Sequence, residues 1–417
     1  MEVALRFLLA VGVLACAGLV RAVDAPLTLP EAQRRAAERS RLVAAQDAAV
    51  SASRELAVAA ARLPDPVLKL GVDNLPVNGP DQFSLTRDFM TMQRIGVMQE
   101  WTSDDKRRLR AERFGREAEK SRAERLAAIA AIHRDTALAW LERYYAEAMA
   151  AVIAEQSAEV RREIAAAESA YRGGRGSQAE VLAAHQALAA LEDRASEFRR
   201  RVQTAKTALA RWMGEGADAP LGARPAIDTI ALDAARLEDD LAHHPQIAIF
   251  STQAEVAAAE ARLARANRHP DWSFELAYQQ RGAAYSNMVS FGVSIPLPWD
   301  RANRQDREVA SKLALQEQAQ AQKEEALRAH VAEVAAMIVE WRSGRERLAR
   351  YEKDLLPLSK ERTRAVLAAY QGGKASLAEV LAGRRSEIEV RMQALQLEMD
   401  TARLWAQLNF LLPAEAK

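Results

Sequence analysis

The side chains that could carry chemistry in this 417-residue chain are six histidines, a small methionine cluster, one glycine-lysine-serine stretch and a single cysteine. His133, His185, His243, His244, His269 and His330 are scattered. No two stand at i, i+4, the spacing that brings two imidazoles to one helix face for a metal. His243-His244 precedes Pro245 and reads as a surface loop pair. Met90, Met92 and Met98 offer thioethers, which suit Cu(I), but packing in a core or against lipid is the simpler reading. Gly373-Lys374-Ala375-Ser376 is not a phosphate loop: the first glycine of that motif would be Ala368, and Ala375 interrupts Gly-Lys-Ser. No nucleophile, base and orienting group can be assembled. The residues therefore point to no catalytic site, no metal site and no cofactor, and an enzyme is not expected.

The elements that would position a non-catalytic function are legible in composition and spacing. Lys plus Arg is 58 and Asp plus Glu is 57, a net charge of +1, which argues against a basic nucleic-acid-binding surface. Ala, Glu, Arg, Leu and Gln dominate and aromatics are 6%, the composition of long helices and coiled coils. Residues 1–25 read as an export signal: Arg6 precedes an uncharged, mostly apolar run from Phe7 to Val20, with small-residue cleavage sites at Ala22 and Ala25. Cys16 lies inside this run, after Val13-Leu14-Ala15, so lipidation at Cys16 is the alternative to simple cleavage. Simple cleavage leaves a mature chain without cysteine, which excludes disulfides. No later apolar run reaches the roughly twenty residues of a spanning helix, so a membrane could be crossed only as a barrel.

Prolines punctuate the rest. None occurs between Pro80 and Pro220, and only Pro357 interrupts the stretch from Pro298 to Pro413. Such intervals, rich in alanine and charge, predict long helices, with a kink at Pro357. Thr28–Arg62 reads as helix broken near Ser40. Strands follow at 67–75 and 92–101. One helix of about 100 Å then runs from Asp105 to Tyr171. A tip turn at 172–176 leads into a helix from Ser177 to Met213 and a Gly/Pro linker to Ile227. Residues 228–268 read as helical, strands are expected at 272–278 and 289–296, and a long helix reaches Tyr370. After a turn at 371–375, the last helix runs from Ser376 to Leu412, leaving a tail at 414–417.

The chain is an internal repeat, residues 26–227 and 228–413, each helix, β-hairpin, long helix, turn, helix. Tyr171-Arg-Gly-Gly-Arg-Gly-Ser-Gln-Ala-Glu-Val-Leu182 matches Tyr370-Gln-Gly-Gly-Lys-Ala-Ser-Leu-Ala-Glu-Val-Leu381, and Trp140 sits near the counterpart of Trp341. The post-turn helices carry 3-4 seams, Leu188-Leu191-Ala195-Phe198-Val202-Ala205-Leu209-Trp212 and Leu381-Ile388-Met392-Leu395-Met399, the spacing of knobs-into-holes packing.

The hairpins alternate strictly. Trp272, Phe274, Leu276, Tyr278, Val289, Phe291, Val293 and Ile295 take one face, while Ser273, Glu275, Ser290 and Ser294 take the other. Alone this fits a soluble sandwich core or a lipid-facing barrel wall. The export signal and the second hairpin favour the barrel. Four strands cannot close one, whereas three copies give twelve.

At this point the residues resemble the TolC-type outer-membrane efflux channels. The likeness is carried by Leu27-Thr-Leu-Pro-Glu-Ala32, Leu63-Pro-Asp-Pro66, Phe291-Gly-Val-Ser-Ile-Pro296 and the duplicated turn. Asp73-Asn-Leu-Pro-Val-Asn-Gly-Pro80 with Asp88-Phe-Met-Thr-Met-Gln-Arg-Ile-Gly-Val-Met-Gln-Glu100 is similar to the heavy-metal cation branch. The resemblance implies a homotrimer in the outer membrane of a Gram-negative bacterium. A twelve-stranded barrel would continue into an α-helical barrel in the periplasm, docked to a periplasmic adaptor (membrane fusion protein) and an inner-membrane, proton-driven pump of the RND type. It implies that the tips Tyr171, Gly173, Gly174, Ser177 and Tyr370, Gly372, Gly373, Ser376 meet the adaptor, and that Glu379 lines a lumenal gate. The family's second acidic gate position falls here on Ala382. On spacing alone, Ser177 and Ser376 are N-caps, with Glu180 and Glu379 as capping-box partners. An outer-membrane channel for drugs or other small molecules is one alternative to a heavy-metal channel; a periplasmic coiled-coil adaptor or scaffold is another, and it leaves the paired β-hairpins without a role.

Overall fold

The structure is a computed structural model that describes residues 26–174, 176–230, 232 and 236–411. The expected signal segment with Cys16 and the tail at 414–417 lie outside those residues. The first half runs α1 (Leu29–Arg39), α2 (Arg41–Ala60), β1 (Val67–Asp73), β2 (Met92–Trp101), α3 (Asp104–Arg172) and α4 (Gln178–Met213). The second runs α5 (Leu237–Ala242), α6 (Pro245–Ala266), β3 (Trp272–Gln280), β4 (Met288–Ser294), α7 (Gln305–Arg350), a π-helix (Tyr351–Leu355), α8 (Leu356–Gln371) and α9 (Leu377–Asn409). No helix among the described residues is long and apolar enough to cross a membrane.

Local chemistry explains most boundaries. Ser40 leaves the helical region (ψ 117°), and its hydroxyl accepts the Val43 amide at 3.3 Å, so it ends α1 and caps α2. Pro357 has no amide hydrogen for the carbonyl four residues back. The chain takes up the mismatch as the π-turn Tyr351–Leu355 immediately before it. Asn74 has φ 56°, which stops β1 at Asp73, two residues short of the expected end. β4 ends at Ser294, so Ile295 falls outside the strand.

One expectation fails more widely. The described residues 228–230, 232 and 236 are not helical; the described helical run starts at Leu237. The preceding segment instead presents carbonyls to two indoles: Trp341 donates to Ile227 at 3.1 Å and Trp405 to Thr229 at 3.0 Å.

The chain divides into two compact units, each drawn from both repeats. The unit comprising 1–39, 132–230 and 340–407 holds the tip-proximal helices. Its apolar core joins Ile153, Val160 and Ile164 of α3 to Ala184 and Leu191 of α4 and to Leu377, Val380 and Ile388 of α9. The seam residues Leu188, Ala195, Phe198, Leu381 and Met392 pack against it, as their 3-4 spacing requires. Acidic α3 residues meet basic α9 residues along the same seam: Glu155 with Arg391 at 2.7 Å, and Glu163 with Arg384 at 2.9 Å. Arg143 is buried and is satisfied by Glu147 and by the carbonyls of Ala217 and Ala219 in the linker.

The unit comprising 40–131, 231–339 and 408–417 holds the strands. Alanines of α6 (Ala257, Ala259, Ala261, Ala264) are buried. Glu260 accepts Lys312 at 2.8 Å and Arg113 at 3.1 Å. Burial alone would raise the Glu260 pKa; the two cations outweigh it and hold the carboxyl below its ordinary value. His244 is buried, contrary to the surface-loop expectation. Its Nδ1 accepts the Gln246 amide at 3.2 Å as the N-cap of α6, and its Nε2 lies 2.7 Å from the Leu411 carbonyl.

Candidate functional site

Two features stand out by geometry: a sheet with two chemically opposite faces, and a pair of glycine turns. The strands form one antiparallel sheet in the order β1-β2-β3-β4. The two hairpins are therefore joined through β2 and β3, whose register runs from Gln93↔Gln280 to Trp101↔Trp272. This joins the repeats edge to edge and leaves the outer edges of β1 and β4 without strand partners among the described residues.

The register aligns side chains across all four strands. One row is Leu70, Ile95, Tyr278, Val289; the next is Leu68, Val97, Leu276, Phe291; a third adds Gln99, Phe274 and Val293. Alternation puts all of these on one face. That face is bare: Leu70, Val289 and Phe291 are each 70% exposed, and Trp272, Leu276, Tyr278 and Val293 are exposed too. Ile295, just past the strand, is also exposed. Phe274 shares the face but is half-buried, 6.3 Å from the Trp272 ring and 6.4 Å from Phe291. The expected lipid-side residues of the two β3–β4 strands thus line up with a matching row from β1 and β2. Gln93 and Gln99 interrupt that row, so the alternation along β2 is less regular than along β3. Gln99 is turned to backbone, donating to the carbonyls of Pro64 and Glu100 at 2.8 Å.

The opposite face is small and charged. Ser273, Glu275, Ser290 and Ser294 lie on it with Lys69, Asp73, Arg94 and Gly96. Lys69 reaches Glu275 at 2.6 Å, two strands away, and Arg94 meets Asp73 at 3.4 Å and Glu275 at 3.5 Å. Gly96 makes this span available. It pairs with both Lys69 and Ala277, and a Cβ there would sit 2.9 Å from the Ala277 Cβ. The four-charge cluster escaped sequence reasoning because it depends on the β2–β3 pairing, across a sequence separation of 206 residues for Lys69 and Glu275.

The turns repeat one construction. Gly173 donates to Ser169 and Gly174 to Tyr171, each at 3.0 Å; Gly372 donates to Ala368 and Gly373 to Tyr370 at the same length. Only the second glycine of each pair has positive φ, 71° at Gly174 and 69° at Gly373. Gly173 and Gly372 do not need the left-handed region, so the conformational requirement sits one residue later than the first glycine. Ser177 and Ser376 then form capping boxes. The Ser177 amide donates to Glu180 at 2.9 Å, and the Glu180 amide returns to the Ser177 hydroxyl at 3.2 Å. At the other tip the distances are 2.7 Å and 3.3 Å. The Ser376 amide, followed by its hydroxyl, holds the exposed Glu379 carboxyl below its ordinary pKa. The tyrosines differ: Tyr171 is exposed, whereas Tyr370 packs on the apolar core, and burial with the nearby Glu180 and Glu163 charges raises its phenol pKa.

Residues 237–413 match the protein family described as "Outer membrane efflux protein". No curated protein matches the chain. Among solved structures, the chain is similar to the outer membrane protein VceC from Vibrio cholerae (20% identity, TM-score 0.74, covering 92% of this chain and 95% of that one). It is also similar to CusC, whose structures concern folding and transmembrane channel formation (16%, 0.77, 92% and 91%). A third likeness is to the open state of the MtrE outer membrane channel of Neisseria gonorrhoeae (17%, 0.74, 92% and 88%). At these identities the likeness establishes architecture: the chain is mainly helical with a four-stranded antiparallel sheet, in the fold of these outer-membrane channels, and its residues 237–413 carry the match to the outer membrane efflux protein family.

Proposed function

We propose that this protein is the outer-membrane channel of a tripartite, proton-driven efflux system, extending into the periplasm and conducting exported substrate passively. The observation that carries the reading is the sheet. An exposed apolar face, a charged opposite face and two unpaired edges are incompatible with a lone chain in either water or lipid. Three copies joined β4 to β1 give twelve strands without an edge, apolar outward and polar inward. The chain does no chemistry in this reading; it hydrolyses nothing and uses no cofactor.

The two tips, Tyr171–Ser177 and Tyr370–Ser376, meet the hairpins of a periplasmic adaptor, which links the channel to an inner-membrane pump of the RND type. Their shared glycine-turn and capping-box geometry supports a common docking role. Glu379 serves first as capping-box partner; its exposed carboxylate, repeated in three copies, also forms the acidic ring of the gate. The exported substrate is a heavy-metal cation, supported by the likeness of the 73–100 segment to that branch.

Membrane fractionation tests the channel reading. Heat-resistant trimers in the outer-membrane fraction are expected; a monomer in the soluble periplasmic fraction would favour the adaptor or scaffold alternative. For the substrate, a deletion strain should become sensitive to metal salts and not to drugs; the reverse pattern would remove the metal assignment.

A further inference from the structure

One end of the sheet carries a cross-strand pair of tryptophans. Trp101 and Trp272 face each other in register there, and Ser294, paired with Ser273, brings the chain out of β4 at the same end. The next residues are Ile295-Pro-Leu-Pro-Trp299, and Trp299 is 89% exposed. A bare indole in water is unfavourable unless it meets something apolar.

This indole stands on a braced knuckle. The Trp299 amide donates to the Leu297 carbonyl at 2.9 Å, and Asn303 Nδ2 donates to Asp300 at 2.8 Å. Asp306 binds Arg268 at 2.6 Å and Arg301 at 3.4 Å, and its amide donates to the Arg301 carbonyl at 2.9 Å. Those contacts occupy two of the local arginines. Arg304 and Arg307, at the end of the knuckle and in the first turn of α7, are exposed, and their guanidinium groups have no carboxylate partner among the described residues.

The geometry points to a seat for anionic phospholipid headgroups: Trp299 enters the acyl–headgroup boundary beside Trp101 and Trp272, and Arg304 and Arg307 take the phosphates. Tryptophan prefers that boundary because one end of the indole is apolar and the other donates a hydrogen bond. Arginine offers a planar fork that matches phosphate oxygens two at a time. At the opposite end of the sheet, in the 74–91 and 281–287 connections, Arg87 meets Asp81 at 3.7 Å and Arg281 is turned to the Phe89 carbonyl, so the seat is placed at the Trp299 end. The inference rests on the reading that the apolar face lies in lipid.

The test uses the full chain reconstituted in vesicles containing spin-labelled phosphatidylglycerol or spin-labelled phosphatidylcholine. Both labels should show a motionally restricted shell, with phosphatidylglycerol selected by roughly fivefold per arginine at low salt, falling as salt is raised. The R304Q/R307Q variant should keep the phosphatidylcholine shell and lose the selection; Trp299→Ala should thin the shell of both lipids at that end. A restricted shell without preference in the parent protein, or an unchanged preference in R304Q/R307Q, overturns the headgroup seat while leaving the barrel reading standing. Absence of any restricted lipid overturns both.

Discussion

The indole of Trp140 donates to the backbone carbonyl of Leu27 across 3.0 Å, with both residues buried. Trp341 does the same to the carbonyl of Ile227 at 3.1 Å. The donor lies 113 residues beyond its acceptor in the first case and 114 in the second. One contact thus recurs in each half, fastening a long helix to the chain segment that enters that half. Trp341→Phe removes the indole donor from the Ile227 carbonyl at a cost of about 1–3 kcal/mol, whereas in Trp140→Phe the Leu27 carbonyl keeps the Gly222 amide at 2.9 Å. The denaturation midpoint should fall further in W341F than in W140F; an equal or reversed order would count against this accounting of the two carbonyls.

The repeat, the helices, the turns and the alternating strands were legible because each is a local pattern: glycine pairs after long proline-free runs, serine three residues before glutamate, apolar residues at period two. What was not legible depends on partners far along the chain. His243-His244 looked like loop because nothing local reveals that His244 is buried as an N-cap. Residues 228–268 read as helical because their alanines and charges fit a helix; at the start of that range the indoles of Trp341 and Trp405 recruit carbonyls on either side of Asp228. The Lys69–Glu275–Arg94–Asp73 cluster could not be seen before the β2–β3 register was known.

The turn glycines should separate by backbone angle. Gly373→Ala places a Cβ at φ 69°, where an L-residue pays roughly 1–2 kcal/mol, although no neighbour lies within 4 Å of the new atom. Gly372→Ala meets only ordinary contacts and should be near neutral. Hydrogen exchange at the tip should rise in G373A and G174A and stay unchanged in G372A. Equal effects at Gly372 and Gly373 would count against the turn geometry.

The capping box at the second tip should weaken in acid. The Glu379 carboxyl is held below its ordinary pKa by the Ser376 amide and hydroxyl, so its contribution is complete above the ordinary carboxylate value. It is lost as pH falls through the lowered value. The protection factor of the Ser376 amide, its exchange relative to an unstructured amide at the same pH, should therefore fall on acidification. In Glu379→Gln, whose amide oxygen can still accept from the Ser376 amide, that pH dependence should disappear. Persistence of the same acid limb in the variant would assign it to another group.

The charge cluster on the polar face should set ion preference in the barrel. Lys69→Met leaves Glu275 and Asp73 opposed only by Arg94, an excess negative charge in each copy. Reversal potentials in planar bilayers should shift toward cations, and K69M/E275Q should return toward the parent. No shift in K69M would mean that this face does not line the conducting path.

The central claim, that the open β1 and β4 edges close by joining copies, is tested most directly by cysteine cross-linking in a Cys16→Ser background. Single cysteines on the polar face of β1 (Lys69, Gly71 or Asp73) are combined with single cysteines on β4 (Ser290, Gly292 or Ser294) and oxidised in outer membranes. The account predicts a register-dependent ladder on denaturing gels that ends at the trimer. Cross-links confined within one chain, or monomer at every pair, would contradict it.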